Sequence, residues 1–196
     1  MGLYFCHVKK TREKIPDHIV KLYQKLRRIN SVYIDTCFVG YLTDDDKHKE
    51  QGNLIVRYLQ NYKIKPYYSE LVTEELSEIE KELDDDSKLR GMVDLWIMVL
   101  KDIGAKSIKI SDISSEEKKF YRFLLEIGIA KNDAIHFTIT VFHDIDSFLS
   151  FNKKIFTERK SKIDRQLMLL KRKTPIIFQV DELCRELKKL NEYNLI

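Results

Sequence analysis

Short apolar runs alternate with amphipathic stretches along almost this whole chain, and that alternation constrains its fold more than any other feature. Ser31-Val32-Tyr33-Ile34-Asp35 reads as a strand, and Lys49 to Asn61 as a helix with Leu54, Ile55, Tyr58 and Leu59 inward. Ile64 to Tyr68 reads as a second strand, where Pro66 lacks a ladder donor and points to a position near the sheet edge. Ser69 is a candidate cap for a helix running to about Leu83. Helices are expected over 91–103, 115–127, 132–143 and 181–190, and strands over 107–110, 148–151 and 176–180. Parallel strands need crossover connections, and these helices supply them. The pattern predicts a three-layer α/β fold, a central parallel sheet of four or five strands with helices on both faces.

With 196 residues, 43% hydrophobic and 34% charged, the chain can bury one real core. No apolar run approaches the roughly 20 residues of a membrane span. The N-terminus places its apolar residues before its charges, the reverse of a signal peptide. Three cysteines, Cys6, Cys37 and Cys184, form no C-x-x-C pair, which favours a reducing cytoplasm over a disulfide framework. The net charge of +4 is strongly segregated. Residues 1–30 carry 8 bases and 2 acids (+6), residues 153–173 carry 9 and 2 (+7), and residues 70–86 carry 1 and 9 (−8). Residues 1–30 read as a basic, helical N-terminal extension, with Ile15, Ile19, Leu22 and Leu26 on one face, and residues 31–196 as the main domain. Residues 153–173 stand out as a basic run without an assigned element. Two basic flanks around an acidic middle suit a polyanion, although such runs also arise as plain solvated helix faces.

Four polar residues are expected at one edge of the sheet: Asp35 and Asn152 at strand ends, Glu75 and Asp133 in the first turns of helices. Strand ends and helix starts meet along the carboxyl edge of an open α/β sheet, where ligands bind. Oxygen ligands gathered there suit a hard cation such as Mg²⁺ or Mn²⁺. Of the acids around residue 75, Glu74 and Glu78 point far from the buried stripe of Val72, Leu76, Ile79 and Leu83. Glu75 lies roughly 70° from its centre, at about 100° per residue. The 132–143 helix is apolar around most of its circumference, and Asp133, His136, Thr140 and His143 occupy what remains. Asn132 is a candidate N-cap, behind which the helix dipole favours an ionised Asp133. His136 has three open roles: orienting Asp133, contacting a phosphate, or filling a satisfied core position. A His136/His143 zinc site lacks further ligands at suitable spacing.

These residues also carry a family resemblance. Val32-Tyr33-Ile34-Asp35-Thr36-Cys37 resembles the first strand of the PIN-domain (PilT N-terminus-like) nucleases. Tyr68 to Leu76 resembles their second acidic motif, with Glu75 at the acid position. Asn132-Asp133-Ala134-Ile135-His136-Phe137 resembles the helix start bearing their third acid, and Ile145 to Lys154 the strand ending in Thr-x-Asp. The four motifs occur in family order across residues 31–156. The resemblance implies a Mg²⁺- or Mn²⁺-dependent endoribonuclease acting on single-stranded RNA, with Asp35, Glu75 and Asp133 as metal ligands. Such proteins are often the toxin of a toxin–antitoxin pair, which would make an antitoxin protein a partner. Asn152 stands where a fourth acid is usual, and about 30 residues rich in bases precede a strand that normally begins near the N-terminus.

RNA hydrolysis would then assign Asn152, Thr36 and Ser150 to waters or phosphate, His136 to substrate, and Lys153 and Lys154 to the RNA backbone. Arg27 and Arg28, just before the first strand, are weaker candidates for the same task. The main rival is a binding protein that kept the fold and lost catalytic competence, with Asn152 as the sign. A phosphoacceptor domain would need paired acids after the first strand and a lysine after the last, and neither is present. The RNA target and the oligomeric state, a homodimer included, are not legible in the sequence.

Overall fold

The strands β1 (Ser31–Ile34), β2 (Lys65–Ser69), β3 (Lys106–Ile108), β4 (Ser147–Leu149) and β5 (Ile176–Phe178) form one sheet in the order β3-β2-β1-β4-β5, and every pairing is parallel. The computed structural model describes residues 15–38, 46–82, 92–110, 113–150 and 152–195. Its helices are α1 (Asp17–Arg27), α2 (Asp46–Asn61), α3 (Glu70–Glu82), α4 (Met92–Asp102), α5 (Ser115–Glu126), α6 (Lys131–Phe142), α7 (Lys153–Glu158), α8 (Lys160–Leu169) and α9 (Val180–Glu192). A short 3-10 turn, Thr36–Phe38, follows β1.

Strand alternation sorts the core into two layers. Val32 and Ile34 of β1 and Leu149 of β4 pack with Ile19 and Leu26 of α1, Ile55 and Leu59 of α2, and Leu183 and Leu187 of α9. Tyr33 and its register partner Phe148 face the other way, against Phe120 and Leu124 of α5, Phe137 of α6, Phe156 of α7 and Leu167 of α8. The chain first moves from β1 outward to β3, then returns to the far side of β1 for β4 and β5. Right-handed crossovers in opposite directions put their helices on opposite faces, which gives the three layers.

Several local expectations are corrected. β2 lies near the edge as expected but is not the edge strand itself, being paired with both β1 and β3. Pro66 is tolerated because Lys65 N–H donates towards β1, at Asn30 O (2.9 Å), so the next nitrogen faces the β3 side, where pairing starts only at Tyr67. The basic run 153–173 folds largely as α7 and α8, which bury Phe156, Ile163 and Leu167. Helix α6 begins at Lys131 with Ala130 at the N-cap, so Asn132 lies within its first turn. Gly128 sets that start: its φ of 87° turns the chain after α5, where Gly128 N–H and Ile129 N–H donate back to Leu125 O and Leu124 O. The segments Asp84–Asp86 and residues 1–14 lie outside the described residues.

Phe137 is fully buried, with ring centroids of Phe156, Phe148 and Phe120 at 4.8, 5.8 and 6.4 Å. Phe137→Ala is expected to cost about 3–5 kcal/mol, read as a lower urea midpoint with an unchanged slope.

Candidate metal centre

Because β1 is flanked by β2 on one side and β4 on the other, the strand order reverses between β1 and β4, and ligand sites form at that point beyond the strand ends. Asp35 follows β1 directly, and its N–H extends the ladder to Leu149 O of β4 (3.4 Å). Glu75 lies in the second turn of α3, which starts where β2 ends. Asp133 and His136 lie one turn apart on α6, and Asn152 is the residue before α7.

Asp35, Glu75 and His136 each offer a ligand atom, and the three atoms lie within 4.8 Å of one another. His136 Nε2 stands 3.2 Å from Glu75 Oε1 and 3.6 Å from Asp35 Oδ1. The imidazole is only 1% exposed, Asp35 7% and Asp133 6%. Thr36 ties the first two acids together: its N–H donates to Asp35 Oδ1 (2.7 Å) and its hydroxyl to Glu75 Oε2. Asp133 Oδ2 accepts from Asn152 Nδ2 at 2.8 Å. Ser150 is fully buried, and its hydroxyl accepts from Asn152 N–H (3.2 Å), so it shapes the turn that presents Asn152.

Behind the imidazole runs a hydroxyl chain that the sequence pattern does not single out. Tyr33 Oη sits 2.8 Å from His136 Nδ1 and 2.6 Å from Ser69 Oγ. Tyr33 and Ser69 are both 0% exposed. The signal available in sequence was Tyr33 at an inward strand position, since a buried tyrosine hydroxyl needs a polar partner. Lys153 makes an ion pair with Glu182 of α9, while the Lys154 side chain is 89% exposed. Arg27 and Arg28 lie at the amino end of β1, away from Asp35, and Arg27 stacks over the Tyr23 ring at 5.5 Å.

The two outer carboxylates are perturbed in opposite directions. Burial alone would raise the Glu75 pKa, but hydrogen bonds from His136 and Thr36 and the His136 charge outweigh it and hold it below the ordinary value. Asp133 is raised, chiefly by burial and further by the charges of Asp35 and Glu75, against the Asn152 hydrogen bond. For His136, burial opposes the charged form, but Glu75, Asp35 and Asp133 together raise its pKa.

No protein-family model and no curated protein sequence matches the chain. Its fold is similar to that of a chain in the crystal structure of VapBC2 from Rickettsia felis bound to a DNA fragment from their promoter. The TM-score is 0.52 at 15% identity, over 76% of this chain and 98% of that one. At this identity the likeness is one of fold: the parallel three-layer α/β architecture. Among the described residues, no helix is long and apolar enough to cross a membrane.

The opposite shifts give opposite stability signatures in the metal-free protein. Glu75 binds its proton less tightly folded than unfolded, so its contribution is present above the unfolded pKa and lost as pH falls through the folded one. Glu75→Gln is expected to lower the melting temperature at neutral pH, with the gap closing in acid. Asp133 binds its proton more tightly when folded, so its ionisation costs stability as pH rises past the usual carboxylate range of about 4. Asp133→Asn is expected to raise the melting temperature at neutral pH, again converging with wild type in acid. Thermal melts in chelator across that range check both signs.

Proposed function

We propose that this chain is a PIN-type endoribonuclease that hydrolyses phosphodiester bonds of single-stranded RNA in the cytoplasm with the help of Mg²⁺ or Mn²⁺. The observation that carries this reading is the convergence of Asp35, Glu75 and His136 within 4.8 Å at the reversal point of a parallel sheet. The donor set fits a divalent cation: two carboxylates and one imidazole, with Asp133 close enough for its charge to act on His136. Asp35 and Glu75 would hold the cation directly, and Asp133, whose Oδ2 is held by Asn152, would reach it through its other oxygen or a bound water. When bound, such a cation lowers the pKa of a water and offsets charge on the scissile phosphate.

The chain's own groups supply the rest. Thr36 locks Asp35 and Glu75 in one orientation, which removes the need to order them when substrate arrives. Asn152 directs Asp133 through its amide and leaves its carbonyl oxygen for a water or a phosphate-bound group. Lys154, exposed at the start of α7, and Lys153, once released from Glu182, would hold RNA phosphates. The resemblance to a family that includes toxins makes an antitoxin protein the partner this reading carries. RNA binding without chelator-sensitive cleavage would instead make the chain a binding protein that kept the fold.

Asp35→Asn removes one ligand charge at constant volume, so cleavage of single-stranded RNA is expected to fall to the level seen in chelator, with the melting transition retained. Cleavage that persists in either condition would place the chemistry elsewhere. Replacing Lys153 and Lys154 with Gln is expected to weaken RNA binding across sequences. It should also flatten the salt dependence by about 0.7 log units per log of salt for each phosphate that is no longer neutralised. An unchanged slope would make these lysines solvated helix residues.

A further inference from the structure

The acids account for only part of the geometry at this site. Resting on the divalent-cation reading above, we infer that His136 Nε2 is itself a ligand of the cation, supported from behind by the hydroxyls of Tyr33 and Ser69. The site is then a mixed nitrogen–oxygen one that prefers Mn²⁺ to Mg²⁺.

Distances carry the first step. Neighbouring ligands around a cation with bonds of about 2.1 Å stand roughly 3.0–3.4 Å apart in octahedral or tetrahedral arrangements. His136 Nε2 is 3.2 Å from Glu75 Oε1 and 3.6 Å from Asp35 Oδ1, with nearly adjacent-ligand spacing to both. All three atoms lie within 4.8 Å of one another, so a shared cation would draw the two acids in on either side of the imidazole. Asp133 is turned instead towards Asn152, which holds it at 2.8 Å. The position where the resemblance expects a fourth carboxylate therefore carries an amide, and a buried imidazole completes the inner cluster.

Hydrogen bonding carries the second step. A ligating histidine donates its other ring N–H to a partner that fixes its tautomer. Tyr33 Oη, 2.8 Å from Nδ1, accepts that bond and donates its own O–H to Ser69 Oγ, 2.6 Å away. Without a cation Nε2–H points at Glu75, and Tyr33 accepts from Nδ1–H when the imidazole is charged or turns to donate to Nδ1 when it is neutral. Both tautomers are satisfied with no movement of heavy atoms, so the chain can accept a cation without leaving a buried group unpaired. Imidazole nitrogen suits first-row transition ions, whereas Mg²⁺ takes oxygen, which sets the preference.

Pulsed EPR of the Mn²⁺-loaded protein tests this independently of activity. Wild type is expected to show ¹⁴N modulation from a directly bound imidazole, absent in His136→Gln. Should His136→Gln fail to fold, a variant with His7, His18, His48 and His143 changed to Gln must retain the modulation. Calorimetric titration is expected to give tighter binding of Mn²⁺ than of Mg²⁺. Tyr33→Phe, which keeps the ring on Phe148, should weaken Mn²⁺ binding on the order of 10–100-fold. Mn²⁺ bound without nitrogen modulation, or modulation that survives His136→Gln, overturns the histidine ligand and leaves the carboxylate site standing. Absence of any Mn²⁺ or Mg²⁺ binding overturns both. An unchanged Mn²⁺ affinity in Tyr33→Phe overturns the supporting role of the hydroxyl chain.

Discussion

The pairing of β1 with β4 is the constraint on which the rest of the structure depends. Their register, Val32 with Ser147 through Ile34 with Leu149, is pinned at the amino edge by polar contacts. Asp146 N–H donates to Ser31 Oγ, Ser147 Oγ to Ser31 O, and Asn30 N–H to Asp146 Oδ2, each at 2.9 Å. Lys173 closes the clamp on the other Asp146 oxygen at 3.0 Å. Once the register is set at that edge, the opposite edge follows: Asp35 emerges beside the turn that carries Ser150 and Asn152. A slip of one residue would exchange Tyr33 for its neighbours on the face covered by α5, α6, α7 and α8 and disconnect His136 from its hydroxyl support.

That arrangement places three carboxylates and an imidazole where water is scarce, which is unfavourable unless each group is paired. The chain meets this requirement unevenly. Glu75 is well served by His136 and Thr36, and its pKa is lowered; Asp133 has a single amide donor and two like charges in reach, and its pKa is raised. A site left short of positive charge in this way is suited to a cation, and the same shortage explains why an amide at position 152 is tolerated. Asn152 donates a hydrogen bond that an ionised acid at that position could not.

The layered fold was legible because it follows from periodicity; the same periodicity points Asp35, Glu75 and Asp133 to one sheet edge, although Glu75 stands in the second turn of α3 and not the first. His136 was not resolved, because a helix buried around most of its circumference does not reveal which way its remaining arc faces. Contacts with Tyr33, on a strand 103 residues earlier, and with Glu75 and Asp35 settle that. Helices α7 and α8 were hidden by charge, their few buried residues being spread through a run of nine bases. Pro66 located β2 only roughly, because strand position depends on which neighbour its nitrogen faces, a property of register rather than of residue type. The start of α6 was misjudged for a similar reason: the turn at Gly128, not the capping strength of Asn132, fixes where the helix begins.

The proposed chemistry stands or falls with one divalent cation among Asp35, Glu75 and His136 at the carboxyl edge. Anomalous scattering from crystals grown with Mn²⁺ tests it most directly. A strong peak is expected within bonding distance, about 2.2 Å, of a carboxylate oxygen of each acid, and it should disappear in Asp35→Asn. Crystals that show no peak there, or show one only at surface acids away from β1, would contradict it.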